Sequence, residues 1–235
     1  MPSLQSSTLS LALLVAGHLH ARCCTAPNKP STPHSIDRIR FLTTNASTIF
    51  TSASNLATIY QAAVTLFSTA SPSDKAIVAK LCPHLAHLSP ETTSWTRRTS
   101  VYLALIALGA SVRLGAYGGL GRNFTFQLAQ PDRLVTGGVY RYLQHPSYTG
   151  IALVLGGYAG LIVNQFDTPV ATLLSDNLVK RLRELQGGIV GVVVVVFATL
   201  VAVRIRDEER MLRERFGEEW EEWHCRTARL IPFIF

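Results

Sequence analysis

Apolar residues gather into five stretches along the chain, each set off by polar segments rather than by a soluble helix's alternation of faces. Crossing a bilayer as a helix takes about 20 predominantly apolar residues. The first stretch, Ser7 to Ala21, is short for this. The second, Ala46 to Ala70, is rich in Ala, Ser and Thr. The third, Thr99 to Tyr117, carries Arg113 inside it. The fourth begins after Pro146 and runs to Val163, and the fifth, Gly187 to Val203, holds an unbroken valine run. In water that run also reads as a buried strand, but its length and glycine-rich flanks favour a membrane helix. A signal peptide is a weak reading of the first stretch, because no Lys or Arg precedes its apolar run. The pattern predicts an all-α, polytopic transmembrane bundle of about five membrane-spanning helices. The pairs Gly115/Gly119, Gly156/Gly160 and Gly187/Gly191 have the four-residue spacing that lets helices approach closely in lipid.

The polar segments give a direction. With five crossings, the segments Arg22–Asn45 and Gly118–Gln144 and the tail from Arg204 fall on one side and hold fourteen Lys and Arg. Ser71–Arg98 and Asn164–Gln186 fall on the other and hold seven. The bias of basic residues toward the cytosol puts the tail there. The N-X-S/T sequons at Asn45 and Asn123 then face the cytosol and stay unglycosylated.

Composition agrees. Only 16% of residues are charged, against about 25% in a soluble domain, and mean hydropathy is +0.23. The net charge of +7 suits an anionic membrane surface or a nucleic acid. The arginines, however, flank apolar runs and form no basic stripe with interleaved aromatics, so no nucleic-acid partner is expected. Cys23, Cys24, Cys82 and Cys225 match neither zinc spacing nor a disulfide framework, and no metal is expected.

Two segments carry candidate chemistry. In Leu134 to Gly150, Gly137 and Gly138 permit a tight turn, and Pro146 suits a helix's first turn. His145 then sits at a helix mouth and Tyr148 in the first turn, where free N–H groups attract an anion. The plainer account is an interfacial aromatic belt of Tyr140, Tyr142 and Tyr148. In Arg204 to Trp223 the fifth helix continues out of the membrane, with Arg204/Glu208 and Glu209/Arg213 each four apart on one face and Gly217 as its end. A solvated helix laced with ion pairs accounts for Arg210, Glu214 and Arg215. Arg204 and Glu208 lie nearer the membrane, where ionisable groups face a partner or cavity. The terminal Ile-Pro-Phe-Ile-Phe is suited to packing on the membrane surface.

Together these segments resemble the isoprenylcysteine carboxyl methyltransferase family. The resemblance rests on Gly138-Val-Tyr140, His145-Pro-Ser-Tyr148-Thr-Gly150, Arg204, Glu208-Glu209, Leu212, Phe216-Gly217, Trp220, Trp223 and Pro232-Phe-Ile234, and covers about half the chain, from Arg122 onward. Gln144 stands where the family usually has Arg, and Trp220 and Trp223 replace tyrosines. The resemblance implies residues 1–98 as N-terminal membrane helices of no recognised motif and 99–235 as the catalytic membrane domain. It implies S-adenosylmethionine as cofactor in a pocket facing the cytosol, held by Asp132, Arg133, Leu134, Val135, Tyr140, His145, Pro146, Ser147, Tyr148 and Glu208. Arg204 and Glu208 would be catalytic, with Arg204 binding the substrate carboxylate and Arg206 and Glu209 as second choices. The substrate would be a prenylated protein or prenylcysteine processed from a C-a-a-X end, at the endoplasmic reticulum membrane. Two alternatives stay open: a membrane methyltransferase acting on a phospholipid or small lipid, and an inactive scaffold of the same fold.

Overall fold

The computed structural model describes residues 2–28, 46–68, 72–163 and 166–232. The Asn45 sequon, most of the Arg22–Asn45 segment and the last three residues of the Ile-Pro-Phe-Ile-Phe terminus lie outside them. The described residues form seven α-helices: α1 (Leu4–Cys24), α2 (Ser47–Phe67), α3 (Pro72–Leu81), α4 (Arg97–Leu120), α5 (Pro146–Ile162), α6 (Asp176–Phe216) and α7 (Glu218–His224). Among the described residues there is no strand, only two isolated bridges, so the fold is all-α as expected.

All five apolar stretches are helical, but their lengths and composition differ. Two helices are long and apolar enough to cross a membrane, one running Arg97–Asn123 and the other Asp176–Phe216. α5 is apolar but has 17 residues, and α1 and α2 have 21 each with a more polar composition. The five-crossing count therefore rests on the sequence pattern. α6 begins at Asp176, eleven residues before the expected apolar start, because Leu178, Val179, Leu182 and Leu185 sit among good helix formers. Its 41 residues extend roughly 60 Å at 1.5 Å per residue, about twice the thickness of a bilayer core. α6 is thus longer than a bilayer crossing needs, and it stays helical past Val203 as the unbroken sequence there suggests. Gly217, at φ +53°, ends it; that backbone region costs glycine little and other residues more.

Two helices expose apolar side chains. α2 buries Thr51, Ser54, Thr58, Gln61 and Thr65 together with Ala62 and Val64, while Leu56 and Ile59 are 69% and 57% exposed. On α6, Val192 through Val196 form a continuous exposed apolar surface. A soluble monomer rarely presents such a patch.

The chain divides into two compact units that do not follow chain order. One comprises Met1–Ala21, Thr51–Ala107 and Val154–Val192. Its core is Leu9, Leu13 and Ala16 of α1 against Ala62, Ile106, Tyr158, Leu161 and Ile162. Small residues and hydroxyls close the helix contacts: Ser10 donates to the Ala62 carbonyl at 2.9 Å, and the Thr58 and Tyr158 hydroxyls are 2.9 Å apart. Polar segments 72–98 and 166–186 both belong to this unit.

The other comprises Arg22–Phe50, Leu108–Leu153 and Val193–Phe235. It holds segment 118–144 and the tail, so each unit contains polar segments that the five-span alternation assigns to a common side. Here α5 packs on α4 through Gly150, where a Cβ would lie 2.7 Å from the Gly109 carbonyl oxygen. The expected close approaches at Gly156, Gly187 and Gly191 do not occur, since a Cβ there meets nothing within 4 Å. Four-residue spacing puts two glycines on one face but does not decide which face meets a neighbour.

Candidate active site

The candidate site lies wholly within the unit that contains the tail. Gly138, at φ +61°, admits the chain to a 3-10 turn over Gly138–Arg141 that buries Tyr140. Tyr140 packs with Ala116, Trp220 and Trp223, and Leu134, Val135, Val139, Leu212 and Phe216 complete this apolar wall. Trp223 Nε1 donates to the Tyr140 carbonyl at 3.0 Å, and the Tyr140 hydroxyl donates to the Ala116 carbonyl at 3.3 Å. Burial pushes the Tyr140 phenol above its ordinary pKa, so it stays neutral.

Residues after this turn are pinned by the C-terminal segment. The Gln144 N–H donates to the Ala228 carbonyl at 2.8 Å and the His145 N–H to the Arg229 carbonyl at 3.0 Å. The Gln144 side chain is buried. Its amide nitrogen donates to the His224 carbonyl at 3.0 Å, the Thr227 carbonyl at 2.8 Å and the Thr227 hydroxyl at 3.0 Å. Its oxygen lies 2.9 Å from His224 Nδ1. Pro146 then opens α5 as expected, and Ser147 is held by Arg113. The Nη1 of Arg113 donates to the Ser147 carbonyl at 3.0 Å and to its hydroxyl at 2.6 Å. Arg113 Nε donates to the Cys23 carbonyl at 2.7 Å, and the guanidinium rests 5.3 Å and 5.2 Å from the Tyr117 and Phe126 ring centroids. An arginine inside an apolar stretch thus finds carbonyls and aromatic faces.

With His145 and Tyr148 so placed, the two motif segments converge. The Tyr148 hydroxyl donates to Glu208 Oε1 at 2.7 Å, and Arg204 Nε donates to the same oxygen at 3.0 Å. Arg204 Nη2 donates to the Phe126 carbonyl at 3.0 Å, and Arg204 is only 4% exposed. His145 Nδ1 lies 3.4 Å from Glu208 Oε2, and its Nε2 lies 3.4 Å from Glu209 Oε1. Nε2 is buried and has no hydrogen-bond partner among the described residues. Arg229 grips Glu209 with two bonds, 2.8 Å from Nε and 3.2 Å from Nη2. Burial alone would lower the His145 pKa, but the two carboxylates outweigh it and the imidazole's pKa is raised.

Other expected site residues lie apart from this cluster or serve it indirectly. Leu134 and Val135 belong to the apolar wall. Asp132 and Arg133 are exposed, with Asp132 paired to Arg122 at 2.7 Å. Pro146 and Ser147 are buried at the head of α5. Arg206 is exposed. Arg210 pairs with Glu214 at 3.0 Å on an exposed face, in keeping with a solvated ion pair. The pairing of Glu209 with Arg213 suggested by spacing does not form: Glu209 takes Arg229, and Arg213 takes Glu221 of α7 at 2.6 Å. Arg113's partners, Gln144's clamp and Arg229 were not read from the sequence; only Arg113 left a signal, its position inside an apolar run.

Chemically, the cluster is a half-buried carboxylate fixed by a phenol and a guanidinium, beside an imidazole whose pKa is raised, against a tyrosine- and tryptophan-lined wall. It offers both signs of charge within one set of contacts.

Residues 98–180 match the model of the phospholipid methyltransferase family. A probable protein-S-isoprenylcysteine O-methyltransferase of Oryza sativa subsp. indica is 28% identical over 153 residues, covering 63% of this chain and 69% of that protein. Protein-S-isoprenylcysteine O-methyltransferase A of Arabidopsis thaliana is 30% identical over 136 residues, covering 56% and 58%. A solved eukaryotic intramembrane Ras methyltransferase, an isoprenylcysteine carboxyl methyltransferase, overlays with a TM-score of 0.46 at 19% identity, covering 83% of this chain and 67% of that one. The family resemblance read from the motifs is met in the sequence alignments.

Proposed function

We propose that this relative of the isoprenylcysteine O-methyltransferases is an integral membrane enzyme that methylates the C-terminal carboxylate of a prenylated cysteine, with S-adenosylmethionine as methyl donor. The observation that carries the reading is the convergence of Tyr148, His145, Arg204 and Glu208 on one buried cluster. The donor set fits the cofactor, which presents a carboxylate, an ammonium and a sulfonium. Glu208 and the tyrosine faces suit its cationic groups, and His145, whose pKa is raised and whose Nε2 makes no hydrogen bond among the described residues, suits an anionic one. When bound, the cofactor supplies an electrophilic methyl.

This chain's residues then have three tasks. The acceptor carboxylate, with a pKa of about 3.5, is already ionised at neutral pH, so no side chain needs to remove a proton. Arg204 is held rigid by Glu208 and the Phe126 carbonyl, and a rigid guanidinium fixes the acceptor's direction of approach. Burial of Arg204 and His145 keeps water away, which strengthens their hold on an anion. A water-soluble cofactor and a lipid-soluble prenyl chain require a site at the membrane interface. The count of basic residues supports the cytosolic side, and the endoplasmic reticulum membrane is the proposed location.

The match to phospholipid methyltransferases supports a second reading, an amine acceptor. That match ends at residue 180, before Arg204 and Glu208, and an amine acceptor would bring no carboxylate for Arg204 to orient. The test is labelled S-adenosylmethionine offered to the purified protein with farnesylated cysteine or with phosphatidylethanolamine. Label in a base-labile ester of the prenylcysteine, lost in Arg204→Ala, is the expected result. Label in the phospholipid alone would overturn the proposal.

A further inference from the structure

The unit that lacks the methyltransferase cluster carries a second group of chemistry-bearing side chains. His84 precedes and His87 ends a 3-10 turn over Leu85–His87, and Asp176 is the first residue of α6. His87 Nε2 lies 2.8 Å and His84 Nδ1 3.5 Å from the same oxygen, Asp176 Oδ1. One donor atom from each of the three falls within 4.8 Å of the others.

The plainer account is an ordinary His–Asp ion pair, and the geometry argues against it. An imidazolium facing a carboxylate at 2.8 Å should aim its N–H along the line to the oxygen. His87 Nε2 does not: it is buried and has no hydrogen-bond partner among the described residues. A nitrogen lone pair and a carboxylate oxygen that are close but not aimed at each other suit two ligands of one cation. With metal–nitrogen and metal–oxygen bonds of about 2.0–2.2 Å, donors on one ion lie no more than about 4.4 Å apart, and the two imidazole-to-carboxylate separations, 2.8 Å and 3.5 Å, fall inside that limit.

The scaffold around the three is already fastened. The His84 N–H donates to the Thr172 carbonyl at 3.1 Å, and the Ser89 N–H to the Asp167 carbonyl at 2.9 Å. Arg98 pairs with the Asp167 carboxylate at 3.2 Å. The Tyr60 hydroxyl donates to the Leu81 carbonyl at 2.8 Å and lies 3.0 Å from the Thr172 hydroxyl. The two segments that bear the ligands are thus held in register before any ion arrives, and Asp176, at 76% side-chain exposure, leaves it a way in.

We propose that His84, His87 and Asp176 bind a divalent transition-metal ion, with zinc the best match. Two imidazoles and one carboxylate are a borderline-soft set that suits zinc better than magnesium or calcium. The ion would fasten the Pro83–Thr93 segment to the start of α6, completing its coordination with water. The sequence argued against zinc on cysteine spacing alone; this site uses no cysteine.

The test uses the full-length protein, purified in detergent through a tag without histidines, stripped with chelator and titrated with Co²⁺. The expected result is one equivalent bound, with visible ligand-field bands that Zn²⁺ abolishes, and a higher unfolding temperature with Zn²⁺. Losing even a residue that only orients a metal ligand weakens binding about 10- to 100-fold, so His87→Ala and Asp176→Asn should each weaken it at least that much. Asp176→Asn, at an exposed position, keeps the test decisive if His87→Ala fails to fold. Absence of a stoichiometric Co²⁺ spectrum in the unmutated protein overturns the proposal, as does unchanged affinity in Asp176→Asn.

Discussion

Replacing Glu208 by Gln separates a charge effect from a shape effect at the candidate site. The amide keeps the size of the side chain and an oxygen for Tyr148 and Arg204, whose bonds to Glu208 Oε1 are 2.7 Å and 3.0 Å. What disappears is the negative charge between Arg204 and His145. Hydrogen bonds to charged groups contribute about 1.5–3 kcal/mol and neutral ones about 0.5–1.5 kcal/mol. Two bonds reduced from one class to the other cost about 2–3 kcal/mol together. The Glu208 side chain is 25% exposed, and solvent screening lowers this to about 1–2 kcal/mol, a fall of roughly 2–8 °C in unfolding temperature. The protein should therefore remain folded. Methyl transfer should suffer more, because a fixed charge aimed at a reacting centre is worth about 2.7–4 kcal/mol, or 10²- to 10³-fold in rate. The assay is initial rate of label transfer from S-adenosylmethionine to farnesylated cysteine in lipid nanodiscs, beside thermal unfolding of the same preparation. Activity within about threefold of the unmutated protein, at the small stability loss expected, would show that the Glu208 charge does not act on the reaction. Arg204→Lys is the companion variant: it keeps the charge at 204 but loses the two-pronged contact with Glu208 and Phe126, and should lose comparable activity.

Three other outcomes are expected. Gly150→Ala places a methyl 2.7 Å from the Gly109 carbonyl and Arg113 Cβ, so α4 and α5 must separate, costing about 1–3 kcal/mol; thermal unfolding should drop by several degrees, and an unchanged midpoint would contradict the packing. His145 has a raised pKa in the folded protein, facing Glu208 and Glu209. Its stabilising contribution is complete below its unfolded value of 6.5 and is lost as pH rises through the higher folded value. Stability measured from pH 6 upward should accordingly fall with a slope that His145→Gln abolishes. Arg210→Ala, which breaks only an exposed pair with Glu214, should change stability by less than about 0.5 kcal/mol and leave methyl transfer nearly intact; a large loss of activity would move the site to the outer face of α6.

What was legible in the sequence follows the range of the forces involved. Arg204 and Glu208 share one helix face, so a spacing of four brings them within reach whatever the rest of the chain does, and the contact forms at 3.0 Å. The head of α5 was legible for the same reason, since Pro146 acts locally. Partners set by tertiary packing were not legible. Glu209 has Arg213 four residues away, yet it binds Arg229, because α7 and the segment after it fold back beside His145. Arg113 announced a buried role by its setting but not its partners, a carbonyl near the end of α1 and the first turn of α5. Gln144 shows the difference most sharply. As a departure from a family arginine at the cofactor motif, it suggests a weakened site. In the fold its side chain serves the C-terminal segment, giving hydrogen bonds to His224 and Thr227 carbonyls and offering its oxygen to His224 Nδ1. An arginine could supply the donors but no acceptor for His224 Nδ1. The departure therefore changes how the tail is fastened over His145, and it leaves the Tyr148–Glu208–Arg204 contacts untouched.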